Sequence, residues 1–384
     1  MDAKYNLIVP LAGRGSRMNS TVPKAMIMAG DRTILEWSMQ SIDISECDLT
    51  FIILEEQASN HGLDQFLLQK WPDCNILTIP QITRGAVETC LRARRVVIGN
   101  KPLIIFCPDV AFRPVWKPRD SDFVKDGMIV TFKANSPNYS YVRSHDQVVE
   151  ETREKVVISQ DAAVGLYCFK TADLFFDFAV EMIDNNIREQ DEFFICPIYN
   201  LLIQNGLQVR ASVNLQEVYI MGTAQELAFF KNDIFPYINA PSKFVLCSDH
   251  SGYVAKKHFM DMFKHLPADM LDVGCFSTKD CDYFDYLQFA TEVIAIQRGT
   301  LGIGFCRSGQ GMNIAANKVP GIRSALVRNR EQAEWAIRHN GANFFAIPSG
   351  HVTDEDLQGI MQGIILGRFE GGRHQNRLMK IEAQ

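Results

Sequence analysis

Twice along this chain an apolar, strand-like run ends in a glycine-bearing turn and passes into a helical pattern. The first is NLIVPLAGRGSRM near the start, the second KFVLCSDHSGYVAKKHFMDMF from residue 243. Strand, tight turn and helix in succession is the repeating unit of α/β folds. In the first half, NLIVPLA, LTFIILEE and PLIIFCPDV read as buried strands. TILEWSMQSI, GLDQFLLQKW and GAVETCLRARRVV between them have helical apolar spacing. From about 127 to 170 the pattern turns β-rich (GMIVTFKA, YSYVRSHDQVVEE, VGLYCFK), which predicts an antiparallel excursion. Helices are expected near 172–185, near 192–205 and from Ala224 to about Phe235. In the second half MLDVG, LGIGFC, IRSALV and NFFAI are short strands, each followed by a loop and a helix. Between the halves, 236–243 carries two prolines and little periodicity and reads as a linker. The expectation is therefore two doubly wound α/β domains, residues 1–238 with a mixed sheet and 243–384 with a Rossmann-like parallel sheet.

Bulk properties narrow the function. A formal charge of −6 disfavours nucleic acid as a main partner. No apolar run approaches the roughly 18 residues of a membrane helix, and the first run reads as a strand, not a signal peptide. The ten cysteines form no CxxC pair, and Cys107, Cys168 and Cys247 sit inside apolar runs. That usage predicts free thiols in a cytoplasmic protein, with no zinc site.

The first strand runs into Gly13-Arg14-Gly15-Ser16-Arg17-Met18, with Pro23-Lys24 shortly after. A glycine-rich strand-to-helix junction lets backbone N–H groups approach an anion. Arg17 and Lys24 add the charge that a triphosphate and leaving pyrophosphate need. This ensemble resembles the sugar-phosphate nucleotidyltransferases over roughly residues 4–235, which implies a GT-A-like fold. The resemblance implies nucleotide binding by Gly13, Gly15, Ser16, Arg17 and Lys24, and Mg²⁺ held by Asp109 at the end of IIFCPDV. It also implies a lysine on the sugar phosphate, here Lys155. Two departures stand out. The family pattern has an aspartate just before a Gly-Thr pair; here Val218-Tyr219-Ile220-Met221 precedes Gly222-Thr223. The family's Glu-Lys-Pro reads Glu154-Lys155-Val156. The G-T-x-x-E-L ending and EFFICPIYNLLI are similar to a capsule-biosynthesis branch that includes cytidylyltransferases, which tilts the nucleotide toward CTP.

In the second half Cys306 ends LGIGFC and is followed by Arg307-Ser308-Gly309-Gln310-Gly311-Met312 and a helical pattern. A glycine-rich loop and the positive end of a helix favour a thiolate. A thiolate can take the proton beside a carbonyl, and the N–H groups of Gly309 to Met312 can hold the enediolate oxygens. Alone, such a cysteine is more often a core thiol. It is accompanied by Asp249-His250 at a strand end, by His339-Asn340 at a helix end and by Arg373 and Arg377, spaced for one helical face. Paired arginines suit a phosphate. Strand-end loops of an open α/β sheet meet in one crevice, so Asp249, His250 and Cys306 are expected together.

The stretches SDHSGY, DVGCFS, CDYFDY, GIGFCRSGQGMNIAANKVPGIRSALV, RHNGANFFAIPSG and FEGGRHQNR, in that order, resemble ribose-5-phosphate isomerase B and galactose-6-phosphate isomerase subunits over 243–384. The resemblance implies Cys306 as the base that moves a proton between C1 and C2, with Ser308 beside it. His339 would assist ring opening, and Asp249 and Tyr283 would contact the ring or its hydroxyls. His250, Asn340, Arg373 and Arg377 would bind substrate, and Gly309, Gly311 and Met312 would line the anion hole. It implies no cofactor for this domain and a site built across a homodimer or larger oligomer. Arg307 replaces a glycine of the usual loop, and Phe284 a proline. The combined reading is a bifunctional enzyme that isomerises a sugar phosphate and transfers a nucleotidyl group to one. Its alternatives are an isomerase with a degenerate N-terminal domain, and a non-catalytic sugar-phosphate sensor.

Overall fold

The computed structural model describes residues 3–13, 15–212, 215, 217–235, 243–266 and 268–382. The chain forms two compact units, Met1–Leu227 and Ala228–Gln384. Except for Lys243, the expected linker at 236–243 lies outside the described residues. Among the described residues no helix is long and apolar enough to cross a membrane.

The first unit is built on a nine-stranded mixed sheet. Its order is Asn75–Ile79, Cys47–Leu54, Tyr5–Pro10, Leu103–Phe106, Asp161–Phe169, Gly127–Lys133, Val209–Ser212, Val148–Glu154, Ser140–His145. The first four are parallel. Asp161–Phe169 enters antiparallel to both of its neighbours, and Ser140–His145 and Val148–Glu154 form a hairpin, so the expected antiparallel excursion is present. Strands covered on both faces need apolar residues at successive positions. Ile8, Ile52, Leu103 and Ile105 pack into one core, while Leu7, Val9, Phe51, Ile53, Ile104 and Phe106 pack into the other, as the two-residue period of a strand requires. Of the helices expected in the second part of this unit, the first is Ala172–Asp184, the second begins later than expected as Ile198–Gln204, and the one expected from Ala224 to about Phe235 is α-helical over Ala224–Phe229.

A short antiparallel ribbon positions the site of this unit. Val110–Arg113 pairs with Glu217–Ile220, about a hundred residues later in the chain. The pairing continues past its end, where the Met221 amide donates to the Asp109 carbonyl at 2.9 Å. Gly222 is thereby held beside Asp109.

In the second unit five parallel strands run in the order Asp269–Asp272, Lys243–Ser248, Thr300–Cys306, Phe344–Pro348, Ser324–Leu326. The sheet is again covered on both faces. Phe244, Leu246, Ile303, Phe305 and Phe345 face one core; Val245, Cys247, Cys306 and Phe344 face the other. From Lys243–Ser248 the chain moves one way to its second strand and the other way to its third. The crevice of such a sheet opens at that reversal, beyond the carboxyl ends of the two central strands. Those ends are Ser248 and Cys306.

Candidate functional site

In the first unit, Asp109 follows Leu103–Phe106 and is half-exposed. Lys24 donates from Nζ to Asp109 Oδ2 at 2.9 Å and to the Gly222 carbonyl at 3.2 Å. Gly13, Gly15, Lys24 and Asp109 line one cavity of about 220 Å³. Arg17, Asp109, Glu154, Lys155 and Glu226 line a second of about 240 Å³. The two share Cys107 and Asp109. Arg14 and the side chain of Ser16 lie outside the described residues. Burial and the nearby carboxylate of Asp109 push the Cys107 thiol up to about 12.

Lys155 has a left-handed backbone (φ 57°) at the end of Val148–Glu154. Its Nζ stands 4.8 Å from the ring centre of Phe194. Beside it Glu154 is 5% exposed and hydrogen-bonded to Ser140 Oγ; burial raises its carboxyl above the ordinary range. The second cavity is therefore lined both by carboxylates and by the cations Arg17 and Lys155.

Sequence reasoning missed Glu226. Thr223 and Glu226 form a reciprocal cap at the start of Ala224–Phe229. The Thr223 amide donates to Glu226 Oε2 at 2.9 Å, and the Glu226 amide to Thr223 Oγ1 at 3.2 Å. This turns a carboxylate that is 3% exposed toward Asp109. Burial first, then the negative charge of Asp109, holds its carboxyl above the usual value. The T-x-x-E pattern was the available signal.

In the second unit, Asp249, His250, Cys306, Ser308, Gly309, Gly311, Met312 and Tyr283 come together at the carboxyl edge of the sheet. Cys306 is 4% exposed. The Asp249 amide donates to the Phe305 carbonyl at 3.2 Å, and the Ser349 amide to the Cys306 carbonyl at 3.0 Å. Ser349 Oγ in turn donates to the Ser251 carbonyl at 3.2 Å, so three strand-end loops are tied together. Asp249 Oδ1 accepts from Ser251 Oγ and the Gly252 amide, both at 2.7 Å. His250 Nδ1 lies 3.0 Å from the Cys281 carbonyl and 3.1 Å from Asp280 Oδ1.

The loop after Cys306 turns at Gly309 (φ 73°), where a side chain would meet Leu326 at 2.4 Å. Ser308 Oγ accepts from the Gln310 amide at 3.3 Å as the helix Gln310–Ala316 begins. Tyr283, first residue of the helix Tyr283–Ile296, lays its ring on Gly311, so close that an added Cβ would stand 2.8 Å from it. Met312 is fully buried under this loop, with Sδ 3.9 Å from Cys247 Sγ.

His339, Asn340, Arg373 and Arg377 are not in this crevice. The helix Arg330–Asn340 leads into Phe344–Pro348 at its amino end. Phe344 pairs with Gly302, and Pro348 pairs with Cys306. Four residues of strand, roughly 13 Å, separate the two edges. Arg373 and Arg377 share a helix, Arg373–Glu382. That helix sits at the amino edge, where Glu382 pairs with Arg323 at 3.0 Å. Asn340 and Arg323 line a cavity of about 460 Å³ there.

A second residue missed in the sequence organises this edge. Glu370 Oε1 accepts from Arg338 at 2.7 Å and lies 3.6 Å from His339 Nε2. Glu370 Oε2 lies 3.6 Å from His374 Nε2. The His339 and His374 rings stack at 4.6 Å and 11°. Burial, then the charges of His339 and Arg373, lower His374 to about 4, so its ring is neutral at ordinary pH. His339, Glu370 and His374 have ligand-type atoms within 4.8 Å of one another. With Arg338, Arg373 and Arg377 around them, the cluster attracts an anion more readily than a cation.

Residues 244–381 match the family model described as ribose/galactose isomerase. A Rickettsia bellii protein bearing the name sugar phosphate isomerase is 36% identical over 138 residues, covering 36% of this chain and 96% of the relative. Ribose-5-phosphate isomerase B of Escherichia coli K12 is 31% identical over 135 residues, 35% of this chain and 91% of the relative. A nucleoside-diphosphate-sugar pyrophosphorylase from Vibrio cholerae RC9 superposes with a TM-score of 0.53 and 26% identity. That match covers 58% of this chain and 98% of the Vibrio chain. The chain is therefore a sugar phosphate isomerase of the ribose-5-phosphate isomerase B type fused to a nucleotidyltransferase-like unit, and it belongs to the ribose/galactose isomerase family.

Proposed function

We propose that the second unit interconverts an aldose phosphate and a ketose phosphate of the ribose 5-phosphate type, with Cys306 as the base. The observation that carries this is the grouping of Cys306, the Gly309–Met312 amides, Asp249 and Tyr283 at the reversal point of the sheet. The thiolate takes the proton from C2 of the open aldose. The electron pair moves onto the C1 carbonyl oxygen to give an enediolate held by the loop amides; the O2 hydroxyl proton passes to O1, and the thiol returns its proton to C1 as the C2 carbonyl forms. Asp249 and Tyr283 grip the sugar hydroxyls, His250 a further group of the substrate, and Ser308 steadies the loop beside the base.

Ring opening by His339, contact by Asn340 and phosphate binding by Arg373 and Arg377 belong to the same reading. Within one copy these four stand at the far edge of the sheet, so a second copy supplies them. Phe289 and Ile296, seven residues apart on one helix, are 48% and 81% exposed, an apolar stripe that another copy would cover.

The first unit, on this reading, joins a nucleoside triphosphate, CTP by preference, to a sugar phosphate and releases pyrophosphate. Gly13, Gly15, Ser16, Arg17 and Lys24 hold the phosphates, and Lys155 the sugar phosphate. The donor set fits Mg²⁺: Asp109 offers a half-exposed carboxylate oxygen at the junction of the two cavities. When bound there, Mg²⁺ would neutralise charge on the reacting phosphates.

The test couples two assays on the purified chain. Wild type is expected to equilibrate ribose and ribulose 5-phosphates and to release pyrophosphate from one triphosphate given Mg²⁺ and a sugar phosphate. Cys306→Ala should lose only the first activity and Asp109→Ala only the second. Silence with every triphosphate, with isomerisation intact, would favour a first unit kept for binding. The lack of a carboxylate just before Gly222 is the feature that supports that second reading.

A further inference from the structure

We infer that Glu226 supplies the second carboxylate of the nucleotidyl-transfer site, facing Asp109 across Gly222, in place of the acid missing before Gly222-Thr223. The inference rests on the nucleotidyl-transfer reading of the first unit. A Cβ built on Gly222 would stand 3.1 Å from Asp109 Oδ2 and 3.2 Å from Glu226 Oε2. The two acids thus look onto one small space into which a side chain at 222 would intrude. They reach it from different elements. Asp109 comes from the strand end, and the ribbon of Val110–Arg113 with Glu217–Ile220 brings Gly222 and the helix start to it. Both line the same cavity with Arg17 and Lys155.

A cap alone does not account for this placement. The cap needs only the local backbone, whereas Glu226 is also 3% exposed and has a second carboxylate for a neighbour. Two neighbouring like charges repel unless one takes a proton or a cation joins them. Lys24 reaches Asp109 Oδ2, and its ammonium is one charge against two. A hard divalent cation satisfies both oxygens and leaves Lys24 free for a phosphate. Tyr139 Oη, which donates to Glu226 Oε1 at 3.4 Å, orients the group toward the cavity.

Glutamine at 226 keeps the capping geometry and removes the charge, so it separates the two roles. The experiment measures Mn²⁺ bound to the full chain by equilibrium dialysis, as the excess of Mn²⁺ on the protein side of the membrane, with each common nucleoside triphosphate on both sides. Wild type, Glu226→Gln, Asp109→Asn, Gly222→Ala and Thr223→Ala are compared, and circular dichroism checks the fold. Glu226→Gln and Asp109→Asn are expected to weaken Mn²⁺ by about tenfold or more, the scale of losing even an outer-shell partner. Gly222→Ala should do the same by filling the space, while Thr223→Ala, which disturbs only the cap, binds as wild type. If Glu226→Gln binds Mn²⁺ like wild type while Asp109→Asn does not, Glu226 is a cap and the inference fails alone. If wild type holds no Mn²⁺ with any triphosphate, the nucleotidyl-transfer reading falls with it.

Discussion

The buried ring of His374 makes the second unit sensitive to acid in a way that can be worked from the structure. His374 is 5% exposed, stacked on His339, and faced by Glu370, Arg373 and Arg377. Burial and the neighbouring positive charges lower its pKa from 6.5 to about 4. Above pH 6.5 the ring is neutral folded and unfolded, and the contribution to stability is complete. Between pH 6.5 and about 4 only the unfolded chain takes the proton, so stability falls as pH falls. At 1.36 kcal/mol per unit, lowering the pH from 7.5 to 4.5 removes roughly 2–3 kcal/mol. A chain of two units need not melt as one transition, so the assay is hydrogen exchange of the amides in Arg330–Asn340 and Arg373–Glu382. Corrected for intrinsic rates, their protection should drop on the order of a hundredfold across this range. His374→Phe, which keeps a ring in the stack, should flatten most of that drop. Parallel losses in wild type and His374→Phe would refute the reasoning.

Two further outcomes follow from the same unit. Mixing Cys306→Ala with Arg373→Ala after partial unfolding should restore about a quarter of wild-type isomerase activity, because half the pairs are mixed and each holds one intact site; no recovery despite exchange of copies would place the whole site in one copy. Lys256 is fully buried, ion-paired to Asp272 and hydrogen-bonded to the Cys275 carbonyl at 2.8 Å. Lys256→Met should cost about 1–3 kcal/mol in urea unfolding of the second unit by leaving Asp272 and the Cys275 carbonyl without their donor, and Asp272→Asn added to it should recover part of the loss.

The strands and helices of both units were legible because burial on both faces writes an apolar run, and helices write their own period. The order of strands was not legible. In the second unit Phe344–Pro348 lies inside Ser324–Leu326, and both are similar short apolar runs. Cys306, Asp249 and His250 could be grouped from the sequence because strand-end loops converge at a known place, while Tyr283 was placed only by the family resemblance. His339 and the arginines could not, since a residue at a helix end says nothing of which sheet edge it serves. Glu226 and Glu370 were present in G-T-x-x-E-L and E-G-G-R-H, yet their roles depend on pairings over long separations. Glu226 meets Asp109 only through a ribbon joining residues about a hundred apart. Lys256 belongs to a helix that reads as amphipathic, and its burial follows only from Asp272 on the neighbouring strand.

Removing metal should separate the two activities, and the reason lies in which groups carry the charge. In the first unit the reacting phosphates would meet Asp109, Glu154 and Glu226 as well as Arg17, Lys24 and Lys155. Carboxylates facing phosphates need a cation between them, so chelation with EDTA should abolish pyrophosphate release and added Mg²⁺ should restore it. On the proposed reading, Cys306 takes the moving proton and the amides from Gly309 to Met312 hold the developing oxyanion in the crevice of the second unit. On the same reading the arginines at the other sheet edge hold the phosphate monoester. Isomerisation measured in the same chelated sample should therefore stay within about twofold of its starting rate. A fall in isomerisation that Mg²⁺ or Zn²⁺ reverses would overturn the thiolate-base reading. It would move attention to His339, Glu370 and His374, whose ligand-type atoms already lie within 4.8 Å of one another.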